Sequence, residues 1–481
     1  MRGASPNSGS FSGAVFVVVM LCIAPSLDAI AKPTSKRSRP APKTAKETAK
    51  SAGKTSKPPL SPAQERKKAA VLARKMAAEI MASVSKLRGL RIKRKLAVGV
   101  YNKAQLSAFV RKELTHGKAG LRLDHTGSAL SLLGMAPPGY SLRQGIVDLL
   151  EEQVAGLYDP GTRQLRLMQR LIATEPVNPI RKMLLGDPQE ETRVVMAHEI
   201  VHALQDQHFN LKKLGKDRPH NTDLEVAISS LVEGDATAAM VAWAMEQRGS
   251  GSVDQLFASG ETMGVLFKFI MKIARVGLLP DTASLARSPR WLQDRLTVPY
   301  VDGLQMCMVV GKRHAFAAVD GLFRRPPLSS EQVLHPRKLL RQLPDHPILV
   351  SPPNVAAALG KGGKRLWHDV LGELGARAFF GEFLDEHAAE DAAAGWGGDR
   401  WVLYGKGKQR ALVWVSTWDS DRDADEAWSA VQKWANGANR TARRKGRSLV
   451  ALSGWPPKRT LDTARRLLGS TRFKPMKRLP K

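Results

Sequence analysis

Residues 194–210 read VVMAHEIVHALQDQHFN, and the way its histidines are shared out decides how the rest of the chain is read. His198, Glu199 and His202 form HExxH, while His198, His202 and His208 also fit the longer spacing HExxHxxxxxH. Residues four apart share one face of an α-helix, so His198 and His202 can aim their rings at one point, with Glu199 beside the first. Two neutral imidazoles and a neighbouring carboxylate suit a zinc ion with an open coordination position, the carboxylate taking a proton from water held there. The pentapeptide is short enough to arise by chance. The third ligand therefore carries the question.

His208 is the first candidate. Each helical residue turns about 100°, so His208 points roughly 240° away from His202 and returns only if the helix breaks sharply near residue 205. Three-histidine sites place Gly at that break, because a left-handed backbone is easy for Gly and costly for other residues. This chain has Gln205, so His208 is better read as a helix-end residue. Glu233, in ISSLVEGDATAAMVAWAM, is the second candidate. Its neighbours are small or apolar, and a carboxylate there is expensive to bury without a cation, be it a metal or a local Arg or Lys. Ser229, Ser230, Gly234, Ala236 and Ala238 predict that this helix approaches the HExxH helix closely.

The chain of 481 residues is long enough for two or three cores, and its net charge of +31 has the look of a nucleic-acid binder. The charge is concentrated at the ends. Residues 32–60 hold nine Lys or Arg against Glu47 alone, and residues 440–481 hold fourteen against Asp462, so these segments carry +8 and +13 and leave +10 for the rest. Few aromatic residues accompany the basic runs, so base stacking is poorly provided for and no specific nucleic-acid partner is expected. The ends suit instead an anionic cell-envelope polymer or lipid head groups.

Arg2, the apolar run Ala14–Ala24 and Ala29-Ile30-Ala31 match a secretory signal peptide cleaved after Ala31, leaving no transmembrane span. Leu21, before Cys22, stands where a lipoprotein signal wants a small residue. Residues 1–31 are thus expected to direct export, and residues 32–60 to form a disordered basic linker. Cys307 is then the one remaining cysteine, without an intramolecular partner, and reads as a small buried hydrophobe.

The expected fold class is α+β and mainly helical. Residues 61–345 form one domain and residues 346–481 a small C-terminal α/β module with a basic tail. Ser61-Pro62-Ala63-Gln64 is a capping box opening an amphipathic helix. EEQVAGLYDPGTRQLRLM (151–168) reads as a hairpin just before the motif helix, which spans about 193–207. Thr222-Asp223-Leu224-Glu225 reads as a second capping box, opening a helix to about 247, and further helices are expected between 254 and 320. Beyond 398, a hairpin (401–404 and 411–417), a helix near 423–436, a strand at 448–453 and a helix at 460–468 suggest β-β-α-β-α. GWGGDR (395–400) reads as a tight turn rather than a phosphate loop, and WDSDRDADE (418–426) as a helix cap by Ser420 or Asp421 rather than a calcium loop.

HEIVHALQDQHF followed about thirty residues later by LVEGDAT resembles the gluzincin branch of zinc metalloproteases. With EEQVAGLYDP, SSEQVLHP and AAAGWGGDR, the likeness extends to a group of exported bacterial metallopeptidases and covers roughly residues 75–440. The resemblance implies a zincin-like domain with His198, His202 and Glu233 as Zn2+ ligands. It also implies Glu199 as general base to a zinc-bound water, with the hairpin near 155–168 as an edge along which a peptide substrate extends. Thermolysin-like gluzincins carry an acid four residues after the glutamate ligand. Here that position is Thr237, so Asp206, one turn beyond His202, is the candidate supporting carboxylate, while Asp235 reads as structural. Tyr300 in VPYVDG and His335 in SSEQVLHP are candidate donors to a developing oxyanion, though both residue types commonly serve as packing groups. The expected activity is peptide-bond hydrolysis, as an endopeptidase. The alternative is a zincin-like binding protein of low activity, attached to the cell envelope through its basic segments.

Overall fold

The computed structural model describes residues 61–476 except 116, 154, 173–187, 215–219, 278–281, 341–344, 357–360 and 456. The expected signal peptide and linker, residues 1–60, lie outside the described residues.

Helix α1 (Pro62–Arg88) starts as the sequence predicts. Ser61 accepts from the Gln64 N–H, the Gln64 side chain accepts from the Ser61 N–H, and Pro62 opens the first turn. After it come β1 (Ala97–Tyr101), α2 (Lys103–Thr115), α3 (Gly117–Leu133) and α4 (Leu142–Gln153). The hairpin follows as β2 (Gly156–Asp159) and β3 (Gln164–Met168). Its turn is closed by Asp159, whose carboxylate accepts from the Gly161 N–H and the Thr162 hydroxyl. β1 adds to it in parallel with β3, giving the order β1-β3-β2, so β2 is an edge strand.

The motif lies on α5 (Pro188–Phe209), followed by the short α6 (Leu211–Leu214) and then α7 (Thr222–Gln247), which carries Glu233. α7 is buried almost throughout from Thr222 to Ala244. A helix apolar on every side belongs in the middle of a helical layer. Its cap is shifted by one residue from the expected box. Asn221 accepts from the Leu224 N–H, because Thr222 is committed through both its N–H and its hydroxyl to the Asp369 carboxylate.

Helices α8 (Val253–Ala258), α9 (Gly260–Arg275), α10 (Ala283–Arg287), α11 (Arg290–Gly311), α12 (Ala315–Arg324) and α13 (Ser330–Leu334) complete the helical part. The close approach expected of Gly234 is made with α11, not with the motif helix. A Cβ on Gly234 would lie 2.2 Å from the Gly303 carbonyl carbon, and one on Gly303 would lie 2.2 Å from the Ser230 carbonyl oxygen. Gly234 sits about 100° round the helix from Glu233, so the glycine contact and the carboxylate face different neighbours. Cys307, on α11, is fully buried and unpaired, as expected.

The C-terminal part is built on a five-stranded antiparallel sheet of order β5-β6-β7-β9-β8. Its elements are β5 (Lys364–Asp369), α14 (Gly372–Phe380), α15 (Glu386–Ala393), β6 (Trp396–Lys406), β7 (Gln409–Trp418), α16 (Asp421–Ala435), β8 (Arg440–Lys445), β9 (Ser448–Ser453) and α17 (Pro457–Ser470). A two-stranded ribbon of β4 (Ile348–Val350) and β10 (Phe473–Pro475) lies beside it. GWGGDR is not a turn. Trp396–Arg400 already belong to β6, with a bulge between Trp396 and Gly398, and a Cβ on Gly398 would lie 2.1 Å from the Ile348 carbonyl oxygen of β4. Ser420 caps α16 by accepting from the Asp423 N–H. The basic residues from 440 to 476 fall largely on β8, α17 and β10 rather than on a tail. One apolar core runs from Ala69 to Met476, across the boundary expected near 346. Among the described residues, no helix is long and apolar enough to cross a membrane.

Candidate metal centre

α5 and α7 bring His198, His202 and Glu233 together so that one ligand atom from each lies within 4.8 Å of the others. His198 Nε2 is 3.0 Å from Glu233 Oε2 and 3.0 Å from His202 Nε2, and His202 Nε2 is 3.4 Å from the same carboxylate oxygen. Tetrahedral zinc with bonds of about 2.0–2.2 Å separates its ligand atoms by roughly 3.3 Å. The triangle matches that separation, with two edges slightly short. Among the described residues no fourth such side chain joins this group, which is the donor count of a site with one position open. Thus the residues present fit a zinc ion.

His198, Glu199 and His202 have no exposed surface and Glu233 is 2 % exposed. Burial works against the His202 imidazolium, but the Glu233 carboxylate outweighs it and lifts His202 to about 9. Burial also acts against the Glu233 carboxylate, which His202 and His198 nevertheless hold down at about 2. A cation between these groups would take over the neutralising role that the imidazolium otherwise fills. His198 is shifted down, chiefly by burial. Glu199 is pushed up to about 8 by burial, against the opposing pull of His202. Its Oε2 accepts from the Tyr158 backbone N–H of edge strand β2, and its Oε1 has no hydrogen-bond partner.

Tyr300, on α11, is buried with its ring centre 6.1 Å from that of His198. His335 is engaged elsewhere: its Nε2 lies 2.6 Å from Glu373 Oε1, so the structure does not bring it to the cluster. His208 lies outside the cluster as well, with its Nε2 2.8 Å from the Arg91 carbonyl oxygen. Asp206 does not touch a ligand histidine. It accepts from the Tyr158 hydroxyl and the Leu211 N–H, and so braces the hairpin residue whose N–H holds Glu199. The side chain that does meet a histidine of the cluster is Gln205, which enters the sequence argument only as the absence of a glycine: its Oε1 lies 2.8 Å from His202 Nδ1. Its signal was the three-residue spacing from His202, which puts it one turn along the same helix. Asp235 has the structural place expected of it, between Gln205 and Arg88. Thr237 is buried, and its hydroxyl has no partner.

Fold and site together describe an α+β, mainly helical protein whose two central helices carry a two-histidine, one-glutamate group able to hold a metal. A domain of unknown function (DUF8575) matches residues 363–464, from β5 into α17, and leaves the candidate metal centre outside its limits. No curated protein and no solved structure matches the chain.

Proposed function

We propose that this chain is an exported zinc-dependent metallopeptidase of the zincin type, with His198, His202 and Glu233 as ligands and Glu199 as general base. The observation that carries the reading is the triangle of two imidazole nitrogens and one carboxylate oxygen at 3.0–3.4 Å, with Glu199 Oε1 left without a partner beside it. Zinc bound there would polarise a peptide carbonyl and make a bound water more acidic. The chain's own residues would do the rest. Tyr158 N–H fixes one oxygen of Glu199 and leaves the other to accept a proton and pass it on. Tyr300, whose ring lies beside that of His198, would be the donor to the reacting carbonyl. β2, as an edge strand, is the element beside which an extended peptide would be aligned.

The complete burial of the site favours the second reading, a zincin-like binding protein of low activity, because a peptide must displace something to reach Glu199. One set of variants separates the two. Purified wild type should carry one zinc, Glu233→Ala should lose it, and Glu199→Gln should keep it while hydrolysis of a broad peptide library falls by about 10²–10⁴-fold. Full zinc in Glu233→Ala sinks the ligand assignment. Zinc-loaded wild type with no hydrolysis that depends on Glu199 leaves the binding reading in its place.

A further inference from the structure

Gln205 is fixed at both ends of its amide. Its Nε2 donates to the Val232 carbonyl oxygen at 3.0 Å and to Asp235 Oδ2 at 2.7 Å. Both of these partners only accept, so the end facing them is the NH2 and the end facing His202 is the carbonyl oxygen. A carbonyl oxygen 2.8 Å from His202 Nδ1 can only accept. His202 Nδ1 must therefore carry a proton, so Nε2, which faces Glu233 Oε2 and His198 Nε2, is the nitrogen that can give up its proton to a metal. Asp235 is in turn held by Arg88 at 2.8 Å, and Arg88 by Asp320 at 2.7 Å. Arg88 and Asp235 are fully buried, and Arg88 is the last residue of α1. The other ligand histidine has no such support, since His198 Nδ1 has no hydrogen-bond partner.

We infer that Gln205 is the positioning residue of the metal centre: held in one orientation by Asp235 and the Val232 carbonyl, it locks His202 as the Nδ1–H tautomer and so presents Nε2 to the metal. The inference rests on the zinc reading above. It supplies the histidine-orienting contact that Thr237 cannot make as a carboxylate would, and it places that contact on the motif helix itself. The relay Asp235–Gln205–His202 does through an amide what a carboxylate hydrogen-bonded to a ligand histidine does directly.

The test uses the full chain, with zinc affinity measured by competition against a chromophoric chelator and unfolding of the zinc-free protein followed in parallel. Gln205→Met keeps the volume and removes the acceptor. It should weaken zinc binding about 10–100-fold, while the zinc-free protein still folds cooperatively at a midpoint lowered by the partners lost to His202 Nδ1 and Asp235 Oδ2. Asp235→Asn should weaken binding by a smaller factor. In zinc-loaded protein labelled with 15N-histidine, the signal missing from His202→Ala should carry a slowly exchanging proton on Nδ1, and that proton should exchange quickly in Gln205→Met. A zinc affinity unchanged in Gln205→Met, or an Nδ1 proton equally protected in it, overturns the inference. Should Gln205→Met fail to fold, Asp235→Asn decides by the same two measurements. Zinc binding undiminished in His202→Ala would overturn the zinc reading itself, an outcome distinct from failure of the relay.

Discussion

The sheet of β5 to β9 and the helix pair α5 and α7 both bury carboxylates, and they treat them in opposite ways. Asp399, on β6, accepts four hydrogen bonds: from the Leu371 and Gly372 N–H groups and from the indoles of Trp396 and Trp414, at 2.9–3.0 Å. Asp369, on β5, accepts from Thr222 N, Thr222 Oγ1 and Val370 N. Between the helices, Glu199 has one donor on one oxygen and none on the other, and His198 Nδ1 is equally bare. A buried carboxylate saturated with donors is an internal brace; one left half satisfied holds a cost that only a ligand or a proton relieves. By this criterion the C-terminal sheet, the part matched by a family model, is mainly scaffold, and the bare buried groups of the candidate centre lie between the helices. Glu373 stands between the two cases, bonded to His335 through one oxygen and bare at the other.

The contrast predicts stability changes of opposite sign. Asp399→Ala strands four buried donors, each worth about 1–3 kcal/mol when left unmade, so it should cost at least ~3 kcal/mol in urea unfolding of the zinc-free chain. Zinc bound per folded molecule should not change. Glu199→Gln should instead gain about 1–3 kcal/mol. The sign follows from the raised folded value of Glu199, about 8 against 4.5. The folded state holds the proton while the unfolded chain releases it, so the cost is absent below pH 4.5, grows through the window to pH 8 and is complete above it. The gain in Glu199→Gln should follow that profile. A stabilised Asp399→Ala, or a destabilised Glu199→Gln, would break the comparison.

The grouping of His198, His202 and Glu233 was legible in the sequence because helical spacing fixes a shared face, and an apolar setting makes a lone carboxylate conspicuous. What spacing does not give is the element lying opposite. Asp206 was placed on the correct face, yet it meets Tyr158 of the hairpin and not a histidine. Gly234 signalled a close approach, but to α11. The strands β5 and β8 were missed for a related reason. KRLWHD and RTARRK carry no clean alternation of apolar and polar residues, and they are strands because β6 and β9 supply their ladders. The positive charge on β8 suits a sheet edge. Gln205 was overlooked because an amide beside a metal motif carries no charge to mark it, and its role depends on Val232 and Asp235, some thirty residues away.

A smaller effect sharpens the helical side of the comparison through pH. His202 is lifted to about 9 by Glu233, while Glu233 is already ionised above about 2. Zinc needs the neutral imidazole, so between pH 6 and about 9 each zinc bound should displace one proton from His202. Affinity should then tighten tenfold per pH unit, about 1.4 kcal/mol, and level off above pH 9. Chelator competition across that range measures the slope. A flat profile would mean that His202 is not the proton-coupled ligand.

The smallest predicted effect concerns the histidine that completes the longer motif. His208 sits at the end of α5, half-buried, with its Nε2 beside the Arg91 carbonyl oxygen. Replacing it with Ala removes one hydrogen bond at the surface, a loss of at most ~1 kcal/mol, and should leave zinc content and its pH slope unchanged. His208 and Glu233 are rival third ligands, so this substitution separates the two readings of the motif. If α5 broke near residue 205 and turned His208 inward, Gln205 could not keep its place between His202 and Asp235. Loss of zinc in His208→Ala would therefore remove the Gln205 relay together with Glu233 as third ligand. Retention of zinc would leave α7 as the helix that completes the centre, and the half-satisfied Glu199 as the group that gives the centre its use.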